Sequence, residues 1–382
     1  MKSEWQTKKI GEVVDIRRGS SPRPIHKFLA SEGMPWVKIA DATSDTSRYI
    51  WRTNEFIIDE GVNKSVKVVP ETLIVSNSAT PGLPKIMKIT ACVHDGWLVF
   101  FNYRGITRDF LYYKFVDIRH KLVNQANGSV FQNLKTDIVR DFDIDVPSIE
   151  TQQKIVGILS NIDEKIELNN AINNNLEQQA QAIFKSWFID FEPFDGHKPS
   201  NWKFSILGEV SQMGAGGDKP QIVSPSKTED CPYPIYSNGL SNEGLYGYTN
   251  YAKIFEESVT VSARGTIGFV SLRHIPYVPI VRLVTLIPKK EILSAKYLFF
   301  WLKQLHITGT GTTQQQLTVP AFQKTEILVP SLESIASFDE IVDPIYQKIW
   351  SNQSENEHLA AMRDALLPKL MSGELDVSDI EL

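Results

Sequence analysis

The feature that most constrains the fold of this 382-residue chain is an internal repeat. Three sequence patterns occur twice, in the same order. They are Trp-(x5)-Gly-Glu-Val at residues 5–13 and 202–210, Gly-(x3)-Gln-x-Leu at 128–134 and 311–317, and Val-Pro-Ser-(Ile/Leu)-Glu at 146–150 and 329–333. The chain is therefore expected to fold as two similar units, each with its own core.

Each repeat divides into a globular block and a helical tail. We assign residues 1–150 and 197–330 to the globular blocks, and residues 151–196 and 331–382 to the tails. Apolar runs predict strands at 73–75, 97–101, 142–147, 259–261, 282–288 and 326–330, and helices at 110–116 and 295–302. This mixture predicts an α+β (mixed α/β) fold class.

Both tails carry apolar residues at alternating steps of three and four, the spacing of a coiled-coil seam. Asn169 and Asn173 continue the first stripe in phase, as Asn352 and Asn356 continue the second. A buried asparagine needs a partner amide, so we expect these residues to face one another; a solvated stretch is the alternative. The predicted helix seam consists of Ile162, Ile166, Asn169, Asn173, Leu176, Ile183, Ile345, Ile349, Asn352, Asn356, Leu359 and Leu366.

The starts of the two long helices are predicted from their capping residues. Asp343-Pro344 is typical of an N-cap followed by proline at the first helical position, and Ser160 holds the equivalent place in the first tail. We therefore predict helices over 161–188 and 344–371, each about 42 Å long. The predicted architecture is two similar globular domains joined by two long antiparallel coiled-coil helices, in a pseudo-twofold internal repeat.

Composition narrows the class of protein. The two cysteines lack CxxC spacing, which argues against a disulfide framework or a zinc ribbon. The sequence shows neither a signal peptide nor a run of 18 apolar residues, so we expect a cytoplasmic protein without membrane contact. The net charge of −5 is uneven: residues 1–150 and 201–330 each carry +3, whereas 151–200 and 331–382 carry −3 and −8. The positive blocks suit an anionic partner.

Together these patterns resemble the specificity (S) subunit of type I restriction-modification systems. The segment Ala-Ile-Phe-Lys-Ser-Trp-Phe-Ile-Asp-Phe-Glu-Pro-Phe at 182–194 resembles the central conserved region of that family. The segment Ala-Leu-Leu-Pro-Lys-Leu-Met-Ser-Gly-Glu-Leu at 365–375 resembles its C-terminal signature. The resemblance covers essentially the whole chain, and these two segments are more specific than the Gly-Glu-Val starts.

The resemblance implies that each globular block is a target recognition domain for one half of a bipartite, asymmetric DNA sequence. The helices would set the spacer between the two halves and dock two methyltransferase (M) subunits, which restriction nuclease (R) subunits can join. S-adenosylmethionine would be held by the M subunits. We therefore expect a non-catalytic chain that binds double-stranded DNA and carries no cofactor of its own.

The residues themselves also argue against an enzyme. The chain lacks the Asn/Asp-Pro-Pro-Tyr/Phe motif that holds a flipped adenine, and the Gly-Ala-Gly-Gly run at 214–217 lacks the acidic partner of a nucleotide-binding unit. The seven histidines show no metal-ligand spacing, and His94-Asp95 is typical of a turn. Two alternatives stay open: a duplicated scaffold for a ligand other than DNA, and an inactive orphan specificity subunit.

Residues suited to phosphate and base contacts concentrate in and near the glycine-rich loops. In the first domain the DNA-binding candidates are Arg17, Arg18, Ser20, Ser21, Arg23, Asn77, Thr80, Lys85, Asn127, Ser129, Gln132, Asn133 and Lys135. In the second domain they are Lys219, Gln221, Arg264, Thr266, Thr310, Thr312, Thr313, Gln314, Gln315 and Gln316. Gln132 and Gln315 occur in both repeats, so a structural role or a phosphate contact is expected of them. For the Arg17–Arg23 loop, a solvated surface is the alternative.

An aromatic cluster closes the first long helix. Its members are Trp187, Phe188, Phe191 and Phe194. They are candidates either for a core that anchors the second domain or for a surface on which an M subunit docks.

Overall fold

The computed structural model describes residues 5–43, 47–126, 133–309 and 316–380. The chain forms two compact units: residues 1–170 with 353–382, and residues 171–352. Each unit combines strands and helices, as the mixed fold class predicts.

The first unit holds most of the short strands. Its strands are β1 (Gln6–Lys9), β2 (Asp15–Arg18), β3 (Leu29–Ala30), β4 (Met34–Val37), β5 (Tyr49–Ile50), β6 (Glu55–Ile57), β7 (Val66–Val68), β8 (Leu73–Ser76), β9 (Pro84–Met87), β10 (Ala91–Val93), β11 (Trp97–Phe101) and β12 (Asp143–Val146). Its helices are α1 (Ile10–Val13), α2 (Ile39–Thr43), α3 (Asp59–Val62), α4 (Arg108–Ala126), α5 (Thr136–Arg140) and the first part of α6 (Ile149–Phe188).

These strands form two five-stranded sheets, ordered β2-β11-β8-β9-β5 and β3-β6-β4-β10-β7, and the antiparallel pair β1-β12. The first sheet is buried on both faces. Leu73 and Val75 of β8 pack with α4, whereas Ile74 packs with Val37 and Val93 of the other sheet. This double burial explains why the strands are unbroken apolar runs in the sequence.

The second unit repeats this strand order. Its strands are β13 (Lys203–Ile206), β14 (Ser211–Ala215), β15 (Tyr233–Tyr236), β16 (Leu245–Thr249), β17 (Ser258–Val261), β18 (Val270–Arg273), β19 (Val278–Pro279), β20 (Val284–Pro288) and β21 (Glu326–Val329). Its helices are the end of α6, α7 (Leu207–Val210), α8 (Ala295–Gln304), α9 (Val319–Phe322) and the first part of α10 (Leu332–Met371).

The sheet β14-β20-β17-β18 has the same neighbours as β2-β11-β8-β9, all antiparallel. The three strands β16-β15-β19 match β6-β4-β10, including the parallel pair. The pair β13-β21 matches β1-β12. The strand expected from Arg282 begins two residues later, at Val284, because Val281 and Arg282 form a turn.

The sheet face that points away from α4 in the first unit is mainly apolar, whereas the face that points away from α8 in the second unit carries buried polar residues. In the second unit, Val259 and Val261 enter the apolar core with α8, but Thr260 between them is buried on a polar face. Arg273, 4% exposed, donates from Nε to the Thr260 hydroxyl at 3.0 Å and pairs with Glu243 at 3.0 Å. A buried guanidinium needs such partners, since it keeps its charge.

The predicted starts of the long helices are wrong by 12 residues in each case. Both helices begin directly after the repeated Val-Pro-Ser pattern, at Ile149 and Leu332. The hydroxyls of Ser148 and Ser331 accept from the N–H groups three residues later, at 3.2 and 3.3 Å. These serines are the N-caps, so Ser160 and the Asp343-Pro344 pair lie inside their helices. Proline has no backbone N–H to donate within a helix. Pro344 is exposed, so the helix lacks this hydrogen bond on its solvent-facing side.

The seam asparagines make amide contacts within each unit. In the first unit, Asn169, 1% exposed, donates to the side-chain oxygens of Asn356 and Glu355, both at 2.9 Å. In the second unit, Asn352, also 1% exposed, donates to Asn173 at 2.8 Å. The amides therefore donate to one another across the helices, whereas Asn352 Oδ1 has no hydrogen-bond partner among the described residues. The predicted seam residues Ile162, Ile166, Leu176, Ile183, Ile345, Leu359 and Leu366 are half-buried, and Ile349 is fully buried.

An ionic contact missed by the sequence analysis crosses the helices of the first unit. Arg363 of α10 donates to Asp163 of α6 at 2.9 Å, and the Tyr113 hydroxyl donates to the same carboxylate at 2.7 Å. Arg48 donates to the Tyr113 oxygen at 3.2 Å and to Glu164 at 2.9 Å. Burial is the largest cause of the raised pKa of Tyr113, and the Asp163 charge adds to it.

The aromatic cluster at the end of α6 belongs to the core of the second unit. Phe188 is 1% exposed, and its ring lies 4.9 Å from that of Tyr297 and 5.2 Å from that of Phe338. Trp187 packs against Phe338 and Phe194, and Phe191 and Phe194 pack against Trp202. These contacts support the core interpretation; Trp187, Phe191 and Phe194 are only half-buried, so docking of an M subunit on them stays a prediction.

Candidate nucleic-acid interface

Arg17 and Arg18 lie on strand β2 and not in the loop where the sequence placed them. β2 is the first strand of its sheet and pairs only with β11. Both arginines are exposed, as are Ser20 and Arg23 in the loop that follows. An edge strand next to a polar loop can present cationic side chains to an extended anionic partner.

Asp95 organises this loop. Its carboxylate accepts from the Ser21 hydroxyl at 2.6 Å and from Arg23 Nη2 at 3.2 Å. Its backbone carbonyl accepts from Arg18 Nε at 2.8 Å. The hydrogen bond from Ser21, followed by the charge of Arg23, lowers the pKa of Asp95 below its ordinary value. His94-Asp95 lies in a turn, as predicted. The only indication in the sequence that Asp95 could organise the loop is that this turn directly precedes strand β11.

Asn77 acts through the backbone of this turn. It is 4% exposed, its Nδ2 donates to the Asp95 carbonyl at 3.0 Å, and its N–H donates to the Gly96 carbonyl at 2.8 Å. The Asn77 carbonyl accepts from the N–H of Leu134 at 2.8 Å. The amide is used inside the protein, so Asn77 positions the loop and is not free to contact a base.

Lys85 does not lie at the surface that a DNA contact requires. It is 3% exposed on β9, and its ammonium donates to the Ser47 carbonyl. A buried ammonium with an internal acceptor cannot reach a phosphate. Thr80 is half-buried, and its carbonyl accepts from the Ser76 hydroxyl.

Asn133 and Lys135 are exposed and lie beside Arg18. Together with Asn77, Leu134 and Thr136 these residues surround a small cavity of about 190 Å³. The structure therefore brings Arg18 and Lys135 to one rim although they are far apart in sequence. Leu134, the last residue of the repeated Gly-(x3)-Gln-x-Leu pattern, is buried and fastens this segment to Asn77.

A larger cleft of about 940 Å³ is lined in part by the Ser21–His26 segment. Its walls include Trp36, Ile39 and His94, and Arg23 and Lys38 stand among its lining residues. Burial lowers the pKa of His94, whose Nδ1 accepts from the N–H of Gly96. The cleft is thus largely apolar, with cations at its margin.

In the second unit the candidates occupy the corresponding loops. Lys219 is exposed and lies over the Tyr246 ring at 5.4 Å, and Gln221 is exposed nearby in sequence. Arg264 is exposed after β17 and donates to Gln316 at 3.0 Å, which brings two predicted residues together. Thr266 is half-buried.

Part of the prediction falls on residues that the structure does not describe. Asn127, Ser129, Gln132, Thr310, Thr312, Thr313, Gln314 and Gln315 lie outside the described ranges. The last residue of the second Gly-(x3)-Gln-x-Leu pattern is described: the N–H of Leu317 donates to the Ala263 carbonyl at 3.0 Å, as Leu134 does to Asn77. This leucine has a structural role in both units.

Two further properties concern the described part of the chain only. None of its helices is both long and apolar enough to cross a membrane. Its residues form no group of three or more His, Cys, Asp or Glu that could hold a metal ion.

Comparisons with known proteins agree on one family. Residues 2–178 and 199–359 match the family model described as the type I restriction modification DNA specificity domain. The chain is 27% identical to the type I restriction enzyme MjaIX specificity subunit of Methanocaldococcus jannaschii, over 99% of this chain and 95% of that protein. It is 29% identical to the HindI specificity subunit of Haemophilus influenzae, over 67% of this chain and 74% of that one.

A solved structure supports the fold independently. The S subunit of a type I restriction-modification system from M. genitalium matches with a TM-score of 0.59 over 96% of both chains. The two sequences are only 17% identical, so this match concerns the fold alone.

Proposed function

Because this chain belongs to the family of type I restriction-modification specificity subunits, we propose that it selects the DNA sequence on which such a complex acts. One observation carries the proposal. Two units with the same strand order present exposed cations on or shortly after corresponding strands, Arg17 and Arg18 on β2 and Lys219 in the loop after β14. Cations at these places suit phosphate contacts, and the loops beside them suit contacts to base edges.

Each unit would contact one half of a bipartite site. We place the recognition domains at residues 1–150 and 197–330, which end close to the last strands β12 and β21. The frames are alike, but the exposed side chains differ: arginines held by Asp95 in the first, and Lys219, Gln221 and Arg264 in the second. Different side chains on one frame would give different half-sites, and hence an asymmetric sequence.

The helices α6 and α10, in segments 151–196 and 331–382, would set the distance between the halves. We propose that they pair as an antiparallel coiled coil that relates the domains by a pseudo-twofold axis. Each has 40 residues and is about 60 Å long. The amide contacts of Asn169 and Asn352 support this, because polar groups in a seam specify register at a cost in stability.

Methyl transfer and cleavage would be the work of partner subunits. We propose that two M subunits, which hold S-adenosylmethionine, dock on this chain, and that R subunits join them. Phe188 is buried, so docking would fall to the half-buried rings Trp187, Phe191 and Phe194 or to exposed apolar residues on the helices. Leu168 of α6 and Met362 of α10 are 55% and 53% exposed and fit this role.

The proposal is tested by methylome sequencing of two strains. Both express the M subunit encoded beside this chain, and only one of them also expresses this chain. We expect a methylated adenine in a split, asymmetric motif only when the chain is present. Absence of new methylation, with the M subunit verified as bound, would contradict the proposal and favour an inactive orphan subunit.

The salt dependence of DNA binding by the assembled complex separates DNA recognition from a scaffold for another ligand. Phosphate contacts release counterions, so DNA affinity should fall steeply as salt rises. If the complex binds no duplex DNA at any salt concentration, the result would favour a scaffold for another ligand.

A further inference from the structure

The turn before β20 holds two successive residues in the left-handed backbone region. Val281 has φ 52° and Arg282 has φ 65°. Positive φ at a β-branched residue is an outlier, because its branched Cβ crowds the backbone. Glycine would adopt this turn without strain. The presence of valine and arginine therefore needs an explanation beyond connecting two strands.

The backbone of this turn is firmly held. The N–H groups of Val281 and Arg282 donate to the carbonyl oxygens of Gly217 and Gly216, at 2.9 and 3.0 Å. A Cβ on Gly216 would lie 2.7 Å from the Ile280 carbonyl oxygen, so only glycine allows this approach. The loop after β14 and the turn before β20 are thus joined backbone to backbone.

Asn238 fastens the turn from a second side. Its Nδ2 donates to the Val281 carbonyl at 2.6 Å, and its Oδ1 accepts from the N–H of Ala263 at 2.7 Å. Ala263 follows the end of β17. One amide side chain therefore connects the turn to the sheet, and it fixes the direction in which Val281 and Arg282 leave the backbone.

The two side chains point away from the protein. Val281 is 48% exposed, and Arg282 is exposed as well. Among the described residues, none makes a hydrogen bond or ion pair with the Arg282 guanidinium. Lys253 adds a second cation close by, since a Cβ on Gly217 would lie 3.4 Å from its ammonium nitrogen.

The first unit has a turn at the corresponding place, before β11. There Asn77 donates to the Asp95 carbonyl at 3.0 Å, as Asn238 donates to Val281. The side chains are different, however. A Cβ on Gly96 would lie 2.2 Å from the His94 ring, so a side chain at the place of Arg282 would clash with that ring. An asparagine amide thus holds the equivalent carbonyl in both units, although Asn77 follows β8 and Asn238 follows β15, and the side chains of the turn differ.

We propose that Arg282 contacts a guanine in the half-site bound by the second unit, with Val281 as an apolar neighbour in the groove. The inference rests on the proposed function. The guanidinium can donate two hydrogen bonds to N7 and O6 of guanine, which is the commonest specific contact to a base. A side chain on a rigid backbone loses less conformational entropy on binding, and the clamp by Asn238 provides that rigidity.

The test is the methylome of strains that carry the full-length chain with Arg282→Ala or Arg282→Lys, together with the M subunit. We expect Arg282→Ala to relax one base pair of one half-site, with discrimination at that position falling about tenfold or more. Arg282→Lys should retain part of the preference. The other half-site should stay unchanged. Lys203→Ala, which removes an exposed cation on β13 of the same unit, is the matched control and should leave the motif intact.

Three results would overturn the assignment. The first is an unchanged motif in Arg282→Ala. The second is a uniform loss of methylation over all sites in a folded variant, which indicates a phosphate contact. The third is relaxation of both half-sites. If the unmodified chain gives no methylation, the proposed function itself fails, and the assignment fails with it.

Discussion

At the scale of single residues, Asp95 is an acidic group within the surface that we propose to contact DNA. Its carboxylate would repel phosphates if it stood alone, but it accepts from Ser21 and Arg23 and its carbonyl accepts from Arg18. These contacts hold the loop in place without a ligand. Such a pre-formed loop loses less entropy on binding than a mobile one.

We expect Asp95→Asn to weaken recognition of one half-site while the other stays intact. The asparagine keeps the size of the side chain and can accept from Ser21, but it lacks the charge that holds Arg23. Methylome sequencing should show reduced discrimination in one half only. Asp59→Asn, an exposed carboxylate in the first turn of α3, is the control. Equal effects on both halves would contradict the local role.

The effect of Asp95 on stability should depend on pH. Its pKa is lowered in the folded protein, so its contacts contribute stability above the pKa of the unfolded chain, and this is lost as pH falls through the folded-state pKa. The difference in Tm between the protein and Asp95→Asn should therefore shrink on acidification. A difference that grows in acid would contradict this assignment. The site is partly exposed, so the difference should be small.

Among the predicted DNA-binding residues, burial determines which ones are not available at the surface. Lys85 has a residue type suited to phosphate contacts, but it is buried, and the carbonyl of Ser47, 38 residues earlier, accepts from its ammonium. Asn77 is taken up by the Asp95 turn. Both outcomes depend on partners distant in sequence, and no local pattern reveals such partners.

At the scale of elements, the contact between Asp163 and Arg363 ties the two long helices together within the first unit. Asp163 is 8% exposed and accepts from Tyr113 as well. The heptad pattern identified the phase of the helices but not this pair, because the partners are 200 residues apart. The helix starts were missed because a Ser N-cap and an Asp-Pro pair are both plausible signals, and only packing decides between them.

We expect Asp163→Ala to lower the free energy of unfolding by about 1–3 kcal/mol, since it removes the acceptor of the buried Tyr113 hydroxyl and one of the two carboxylates that pair with Arg363, the other being Asp364. The double variant Asp163→Ala with Arg363→Ala should lose less than the sum of the two single changes. Thermal or urea unfolding measures this. Glu164→Ala, which removes a neighbouring carboxylate that is 61% exposed, is a milder comparison. Additive effects would show that the pair is not coupled.

The seam asparagines should trade stability for register. Asn169→Ile with Asn352→Ile replaces two buried amides with apolar groups and is expected to raise the Tm. The same change should loosen the helix register, so the methylated motif should show a less uniform spacer. Asn174→Ile, at an exposed position of α6, is the control. If neither Tm nor spacer changes, the two amides do not specify register.

At the scale of the whole molecule, the internal repeat was the sequence feature that predicted the largest part of the fold. Apolar runs located the principal strands because those strands are buried on at least one face, and the repeated patterns anticipated that two units share one strand order. The polar inner layer around Arg273 was not predicted, since buried polar residues carry no hydrophobic pattern. The turn at Val281 and Arg282 was not predicted, because Arg282 was assigned to the apolar strand that follows it.

The central claim is that each unit contacts a different half of one DNA site. The most direct test places a photo-crosslinker at Arg17 in one preparation of the complex and at Lys219 in another, bound to a duplex that carries the methylated motif. We expect crosslinks from Arg17 to map to one half of the motif and crosslinks from Lys219 to the other. Crosslinks from both positions to the same half, or spread evenly along the duplex, would contradict the account.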